Sequence, residues 1–307
     1  MRSRSLTGGP DGSPGHKQSQ KPEGHPGRGR RRAAQGGLKA GPAARRPFKL
    51  DIIGLGSGGA EGLTLAARKS LKAAEAVYGY GLYLDQAGPL IQKAAIHQSG
   101  MTAEMKRAGE ALDSALGGRR TAVVSGGDAG VYGMAGAVFE VAAARNLDLG
   151  RGPGQLSIEV LAGVPAAVAG AALLGAPLTH DFCLISLSDR LTPWELIEKR
   201  LDLAARGDFV IVLYNPKSRG RDWQLGRALE ILARRLAPRT PAGVVSRAGR
   251  AGQATLVTTL EELGSARVDM QTLVIIGNRR TFVYKGFLIT PRGYVDKYGS
   301  GRREGKL

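Results

Sequence analysis

The stretch from Thr121 to Met134 (TAVVSGGDAGVYGM) constrains the fold more than any other part of this 307-residue chain. Thr121–Val124 is a short β-branched and apolar run, which is typical of a buried strand. A glycine-rich turn then breaks the run, and residues 131–144 have the composition of a helix. Open α/β sheets bind their ligands where a strand ends in such a turn. The stretch therefore predicts an α/β fold with a small-molecule site at this turn.

Asp128 is the only charged residue of the turn, and two roles are open to it. Its carboxylate can accept hydrogen bonds from an amine or a hydroxyl group of a bound ligand. Alternatively, it caps the helix that follows and has a purely structural role. The neighbouring glycines let a small molecule approach the backbone closely, and the helix N-terminus offers unpaired N–H groups.

Composition excludes several kinds of site. The single cysteine, Cys183, lies in an apolar run, so we predict a buried, inert thiol in a reducing, cytoplasmic compartment. The four histidines share no metal-ligand spacing, and we therefore predict no metal site; they are His16, His25, His97 and His180. No apolar run reaches the roughly 20 residues that a membrane span needs, so we predict no membrane contact.

The charge of +18 is divided unevenly along the chain. Residues 1–46 hold eleven lysines and arginines against two acidic residues, with many glycines and prolines. This composition predicts that residues 1–47 are a disordered basic extension and that residues 295–307 are a basic tail. The remainder is also basic, which favours an anionic partner: a nucleic acid or a small molecule with several carboxylates. Because its basic residues are scattered between elements, nucleic acid is the weaker choice.

Strands alternate with helices in both halves, which predicts two α/β domains, each with a mixed sheet flanked by helices. The breaker-rich segment before Asp181 suggests a boundary between residues 48–178 and residues 179–294. Residues 284–289 are predicted to close the second sheet.

Gly54–Gly59 matches G-x-G-x-x-G, but the acidic residue expected after a second strand is missing. Because that acidic residue would bind the ribose of a dinucleotide, its absence disfavours a nicotinamide-dependent oxidoreductase.

Glycine-marked or polar strand ends follow one another in a fixed order. They are GLGSGG (54–59), SGGDAGVYGM (125–134), AGVPAAVAGAALLGAPLTHDF (162–182), LYNP (213–216) and VIIGN (274–278). Together they resemble the tetrapyrrole methyltransferase family, whose members use S-adenosylmethionine. The order ISLSD, LTPW, LYNPKSR and TPRGY resembles, more narrowly, the branch that methylates C17 in cobalamin biosynthesis.

The resemblance implies methylation of an anionic tetrapyrrole, precorrin-3B or cobalt-factor III, at C17 with ring contraction, by a homodimer. It also implies that the cofactor lies in a cleft between the two domains, with Gly56 and Ser57 at the floor of the cleft. The other cofactor-binding positions that it implies are Gly127, Asp128, Ala129, Val131, Pro165, Ala166, Tyr214, Asn215, Gly243, Val244, Ile276 and Gly277.

Ring contraction requires proton transfers, so an acid or base is expected near the substrate. The candidates cluster in sequence around the domain junction and are His180, Asp181, Ser188 and Asp189. Basic residues after strand ends are favoured as a set for binding substrate carboxylates, although for any one of them taken alone a solvated surface charge is the favoured role. They are Arg190, Lys217, Arg219, Arg221, Arg247 and Arg250.

Three positions depart from the family pattern. Gly59 stands where an aspartate is usual, Ala129 where a proline is usual, and Pro165 where the family has a hydroxyl-bearing residue. Three alternatives therefore remain open: another precorrin methyltransferase, an RNA methyltransferase of the same fold, or a cofactor-binding protein without catalysis.

Overall fold

A computed structural model describes residues 47–218 and 220–299 of the chain. The predicted N-terminal extension lies outside the described residues, apart from Pro47, as does most of the predicted basic tail. All described residues belong to one compact unit. No helix within these two ranges is long and apolar enough to cross a membrane.

The first sheet is parallel throughout, with the strand order β3-β2-β4-β1-β5. Its strands are β1 (Phe48–Gly54), β2 (Ala76–Tyr80), β3 (Ala95–Ser99), β4 (Thr121–Ser125) and β5 (Leu156–Leu161). The helices of this half are α1 (Leu65–Ala73), α2 (Gly81–Ala87), α3 (Glu104–Leu116) and α4 (Met134–Ala144).

Alternation along the strands explains why helices cover both faces of the first sheet. Leu50 and Ile52 of β1 pack with α3 and α4, whereas Ile53 packs with α1 and α2. In β4, Val123 packs with α3 and α4, and Val124 packs with α1 and α2. The central strands β1 and β4 thus bury side chains on both faces, which leaves their ends for ligands.

The second sheet is mixed, with the strand order β10-β9-β11-β8-β7, in which β7 and β8 run parallel and the other pairs are antiparallel. Its strands are β7 (Phe182–Ser186), β8 (Val210–Tyr214), β9 (Pro241–Ser246), β10 (Ala254–Thr259) and β11 (Thr272–Ile276). Helices α6 (Trp194–Arg206) and α7 (Gln224–Ala233) pack on one face.

Helix α5 (Ala166–Leu174) covers the other face of the second sheet, although in the chain it directly follows the first sheet. Its Ala167 and Leu174 pack with Val212 and Val245. The domain boundary after residue 178 stays a prediction, but this packing groups α5 with the second sheet. The predicted architecture of helix-flanked α/β sheets is confirmed, except that the first sheet is parallel rather than mixed.

Two local predictions were wrong. Residues 284–289 do not close the second sheet: Lys285 and Gly286 have positive φ angles and turn the chain into a hairpin. The hairpin strands are β12 (Phe282–Tyr284) and β13 (Phe287–Ile289), and β13 pairs in turn with β6 (Gly175–Ala176), which makes a third sheet before the short helix α8 (Tyr294–Tyr298). The helix after the central turn begins at Met134 rather than Val131, because residues 128–133 extend the turn.

Candidate functional site

The turns after β1, β4 and β5 meet backbone to backbone, at what we call the glycine junction: Gly54, Gly127 and Gly163. A Cβ atom on Gly54 would lie 2.6 Å from the nitrogen of Gly163 and 2.8 Å from the oxygen of Gly127. A Cβ atom on Gly163 would lie only 2.3 Å from that same oxygen. Gly56 and Gly127 also exchange backbone hydrogen bonds of 3.0 and 2.9 Å. Only glycines permit this junction, which leaves a surface made of backbone.

Asp128 joins two of these turns through its side chain. One carboxylate oxygen accepts from the backbone N–H of Gly130 at 2.8 Å, and the other from that of Gly163 at 2.9 Å. Asp128 is not the helix cap, because the N-cap of α4 is Gly133, which makes no side-chain cap bond. Since a carboxylate has further lone pairs, it can hold the turns together and still accept from a ligand. The methyl group of Ala129 is fully buried, so at that position only the backbone is available to a ligand.

Tyr214, at the end of β8, binds the start of helix α5. Its hydroxyl accepts a hydrogen bond of 2.8 Å from the backbone N–H of Ala167, just after Pro165 at the N-cap. Burial raises the pKa of Tyr214, so the group stays protonated at neutral pH. Because the hydroxyl accepts this bond, its own hydrogen remains available to a ligand.

The two sheets meet through their strand-end turns, and we call the space between these turns the cleft. Tyr132, which follows β4, donates to the backbone oxygen of Leu184 in β7 at 3.0 Å. Its ring lies 5.2 Å from that of Tyr214, centroid to centroid. On another side, a Cβ atom on Gly249 would lie 2.8 Å from the Cα atom of Gly58. The two sets of turns predicted from the sequence therefore face each other.

Arg250 strengthens the contact at Gly58 and Gly249. Its Nε donates to the backbone oxygen of Ser57 at 3.3 Å, and an Nη donates to the side chain of Gln86 at 3.5 Å. Gln86 in turn donates to the backbone oxygens of Leu55 and Gly58. Sequence reasoning missed Gln86 and the whole of α2, which carries no motif.

The turns after β7 and β8 are held together by Ser186. Its hydroxyl accepts from Asn215 Nδ2 at 3.0 Å and from the backbone N–H of Ser188 at 3.2 Å. Asn215 has a left-handed φ of 54°, a conformation that asparagine tolerates better than most residues. Asp189 accepts from the Gln224 side chain at 3.1 Å. Asn215, Ser188 and Asp189 therefore lie together at the carboxyl ends of β7 and β8.

The predicted catalytic cluster does not form as a unit. His180 and Asp181 precede β7, whereas Ser188 and Asp189 follow it. A five-residue strand separates them by about 17 Å, since a strand advances about 3.3 Å per residue. Nδ1 of His180 accepts from the backbone N–H of Asp181 at 2.8 Å, away from Ser186 and Tyr214.

The predicted cofactor set is also divided. Because β11 runs antiparallel to β8 and β9, its carboxyl end lies beside their amino ends. Ile276 pairs with Ile211, and Gly277 donates to the backbone oxygen of Pro241 at 2.9 Å. Both residues therefore lie at the amino ends of β8 and β9, whereas Tyr214 lies at the carboxyl end of β8. In the middle of β9, Gly243 packs closely on Leu174 of α5, and Val244 is buried against α6 and α7. The residues that come together are Gly56, Ser57, Gly127, Asp128, Ala129, Val131, Pro165, Ala166, Tyr214 and Asn215.

The predicted basic residues differ in their surroundings. Arg190, Lys217 and Arg247 are exposed in turns near the carboxyl ends of β7, β8 and β9. Arg221 is only 8% exposed and donates to the backbone oxygen of Leu187 at 3.0 Å and to the Ser218 hydroxyl at 2.9 Å. Burial lowers its pKa, but the group remains charged. Arg221 therefore connects the loops after β7 and β8 by hydrogen bonds and is not an exposed substrate contact. Arg219 lies outside the described residues.

Comparison with known proteins identifies the family. Residues 49–264 match the Tetrapyrrole (Corrin/Porphyrin) Methylases. The chain belongs to this family. It is a methyltransferase, and its methyl donor is S-adenosylmethionine. Among the described residues, no group of three or more His, Cys, Asp or Glu side chains is placed to hold a metal ion.

Relatives within the family match over almost their whole length and over about four fifths of this chain. The chain is 44% identical to the probable cobalt-factor III C(17)-methyltransferase of Salmonella typhimurium, over 80% of this chain and 99% of the relative. It is 40% identical to the precorrin-3B C(17)-methyltransferase of a Sinorhizobium species, over 80% of this chain and 97% of the relative. The crystal structure of the methyltransferase CobJ superposes with a TM-score of 0.72 and 38% identity, covering 79% of this chain and 99% of CobJ.

Proposed function

We propose that this protein transfers a methyl group to C17 of precorrin-3B or cobalt-factor III, with contraction of the macrocycle, in cobalamin biosynthesis. The observation that carries the proposal is the 44% identity over 99% of a cobalt-factor III C(17)-methyltransferase. A second relative, 40% identical, is named for the same carbon of precorrin-3B. The shared element is methylation of C17, and the two substrates belong to one chemical class.

The residues at the cleft fit the cofactor. The glycine junction and the free lone pairs of Asp128 suit its amino-acid end, because backbone N–H and carboxylate groups recognise carboxylates and amines. The hydroxyl of Tyr214 and the side chain of Asn215 suit the ribose and adenine. When bound, S-adenosylmethionine supplies an electrophilic methyl group. The protein then has to orient the acceptor carbon in line with that methyl group and exclude water, which requires no covalent nucleophile.

Proton transfer during ring contraction is assigned to Ser188 and Asp189. Both follow β7 and lie beside Asn215, whereas His180 and Asp181 lie at the other end of that strand. The exposed Arg190, Lys217 and Arg247 are proposed to bind acetate and propionate groups of the tetrapyrrole, since guanidinium and ammonium groups form charge-assisted hydrogen bonds with carboxylates. Arg219 keeps the same proposed role from the sequence alone.

A homodimer is also part of the proposal. The hairpin β12–β13 presents Phe282, Val283, Tyr284 and Phe287, each between 45% and 57% exposed. Apolar groups clustered in this way favour a protein contact, and a second copy of the chain is the proposed partner. Light scattering should give the mass of a dimer, and Phe287→Glu should give that of a monomer. The proposed compartment is the cytoplasm, where a single cysteine stays reduced.

The proposed activity is tested by supplying the purified full-length chain with S-adenosylmethionine that carries a ¹³C-labelled methyl group. Precorrin-3B and cobalt-factor III are offered in separate reactions, and NMR identifies the carbon that receives the label. Label at C17 of either compound supports the proposal, and the ratio of the two rates identifies the preferred substrate. Label at another carbon indicates a different precorrin methyltransferase, whereas tight binding of S-adenosylhomocysteine without turnover indicates a binding protein.

A further inference from the structure

Helix α2 places a tyrosine directly against the central turn. Tyr83 lies so close to Gly126 that a Cβ atom there would be 2.4 Å from Cε1 of the ring and 3.0 Å from the hydroxyl oxygen. Gly126 immediately precedes Gly127 of the glycine junction. The phenol therefore lies at the edge of the proposed cofactor site, on the side of β2 and β3.

The hydroxyl of Tyr83 is available to a ligand. It makes no hydrogen bond to any of the residues that the structure describes, and it is not among their buried, unpartnered polar atoms. Its ring is held by an edge contact with Tyr80, at 5.8 Å between centroids. Burial raises the pKa of Tyr83, so the hydroxyl is protonated at neutral pH and can donate.

The charges of Arg250 and Arg107 favour the ionised form of the Tyr83 hydroxyl, against the larger effect of burial, which raises its pKa. Arg250 extends from the second sheet to helix α2, where one Nη contacts Gln86, three residues after Tyr83, while its Nε contacts the backbone oxygen of Ser57. Arg107 is only 3% exposed and is held by Ser99 and by the backbone oxygen of Gly100. A phenolic donor beside two cations suits an anionic group of a ligand.

We propose that the Tyr83 hydroxyl and the Arg250 guanidinium form a subsite for one side-chain carboxylate of the tetrapyrrole, above Gly126. The inference rests on the proposed function and extends it to a helix that carries no sequence motif. A carboxylate held here fixes one edge of the macrocycle beside the turn that receives the amino-acid end of the cofactor. Tyr83 is thus a substrate-binding residue that selects the orientation of the macrocycle and takes no part in methyl transfer.

The test compares Tyr83→Phe with the matched control Tyr80→Phe in the full-length protein. Losing one hydrogen bond to a carboxylate should raise KM for the tetrapyrrole about 10-fold or more. The dissociation constant of S-adenosylhomocysteine should stay within about twofold, because the cofactor touches the turn and not the phenol. Tyr80→Phe should leave both constants unchanged. An unchanged KM in Tyr83→Phe, or a weakened S-adenosylhomocysteine complex, overturns the subsite.

Substrate binding keeps this test separate from the test of the proposed function. If the wild-type protein binds the tetrapyrrole, as measured by quenching of tryptophan fluorescence, but does not methylate C17, the proposed function fails. The subsite still predicts about 10-fold weaker binding to Tyr83→Phe. With a tetrapyrrole whose carboxylates are methyl esters, the difference between wild type and Tyr83→Phe should shrink, because a neutral ester carbonyl accepts a weaker hydrogen bond than a carboxylate does. An undiminished difference, or no tetrapyrrole binding by the wild-type protein, overturns the subsite.

Discussion

The carboxylate of Asp128 accepts a hydrogen bond of 2.9 Å from the backbone N–H of Gly163, which lies 35 positions further along the chain. Its other oxygen accepts from Gly130 within the same turn. One side chain therefore holds the turn after β4 against the turn after β5. This gives the residue a structural role in a surface that is proposed to bind the cofactor.

Replacing Asp128 should weaken cofactor binding, and Asp128→Ala should weaken it more than Asp128→Asn. Asp128→Ala removes both carboxylate oxygens, which hold the two turns together and are proposed to accept from the cofactor. Since a hydrogen bond to a charged group contributes about 1.5–3 kcal/mol, S-adenosylhomocysteine should bind at least about 10-fold more weakly. Asp128→Asn keeps one acceptor oxygen, so its affinity for S-adenosylhomocysteine should lie between those of wild type and Asp128→Ala. Calorimetric titration measures all three affinities. Equal affinity of wild type and Asp128→Ala would remove this side chain from the site.

The separation of the predicted catalytic cluster gives a second prediction. Asp189→Ala should lower kcat at least about 100-fold if the carboxylate moves a proton, since general acid–base catalysis contributes about 10²–10⁴-fold. Asp181→Ala should leave kcat within about twofold, because Asp181 lies at the amino end of β7 and its side chain is 73% exposed. Steady-state rates of C17 methylation distinguish the two variants. A large loss in Asp181→Ala with normal activity in Asp189→Ala would reverse the assignment.

The sequence was sufficient to predict that the glycine-rich turns of the first sheet meet. A β-branched run ending in glycines identified β4, and Gly127 of its turn pairs with Gly56 of the glycine-rich turn after β1, as strand-end turns of a parallel sheet should. These signals are local in the chain, and the parallel topology then brings the strand ends together.

What the sequence could not supply was strand direction in the second sheet. The motif at Ile276 and Gly277 looks like those at the other strand ends, but β11 runs antiparallel to β8, so its end lies at the opposite edge. Tyr83 and Gln86 were missed for a different reason. Helix α2 is seven residues long, and its role depends on contacts with Gly126 and Arg250, which are distant in the chain.

The close approach of Gly58 and Gly249 gives a third prediction. A Cβ atom on Gly58 would lie 2.8 Å from the backbone oxygen of Gly249, so Gly58→Ala must push the two turns apart. Because small misplacements of reacting groups are costly, kcat/KM should fall about 10-fold or more. Gly62→Ala is the control, since a Cβ atom there meets nothing within 4 Å. Equal activities of the two variants would show that the contact does not set the geometry of the cleft.

Arg221 should matter for stability rather than for substrate affinity. Arg221→Met leaves the backbone oxygen of Leu187 and the hydroxyl of Ser218 without their donor, which should lower the free energy of unfolding by about 1–3 kcal/mol. Lys217→Met, on the exposed part of the same loop, should change it by less than about 0.5 kcal/mol. Urea denaturation measures both effects. A stable Arg221→Met protein with a raised KM would restore the predicted substrate contact.

Cys183 should make stability depend on pH in the alkaline range. Burial raises the pKa of its thiol from 9.0 to about 11, so the folded state favours the neutral form. The contribution of the thiol is therefore complete below pH 9, where it is protonated in both states, and is lost as the pH rises through about 11. Urea denaturation at intervals from pH 8 to pH 11 should show a steeper loss of stability for wild type than for Cys183→Ala. Parallel curves for the two proteins would mean that the thiol titrates normally in the folded state.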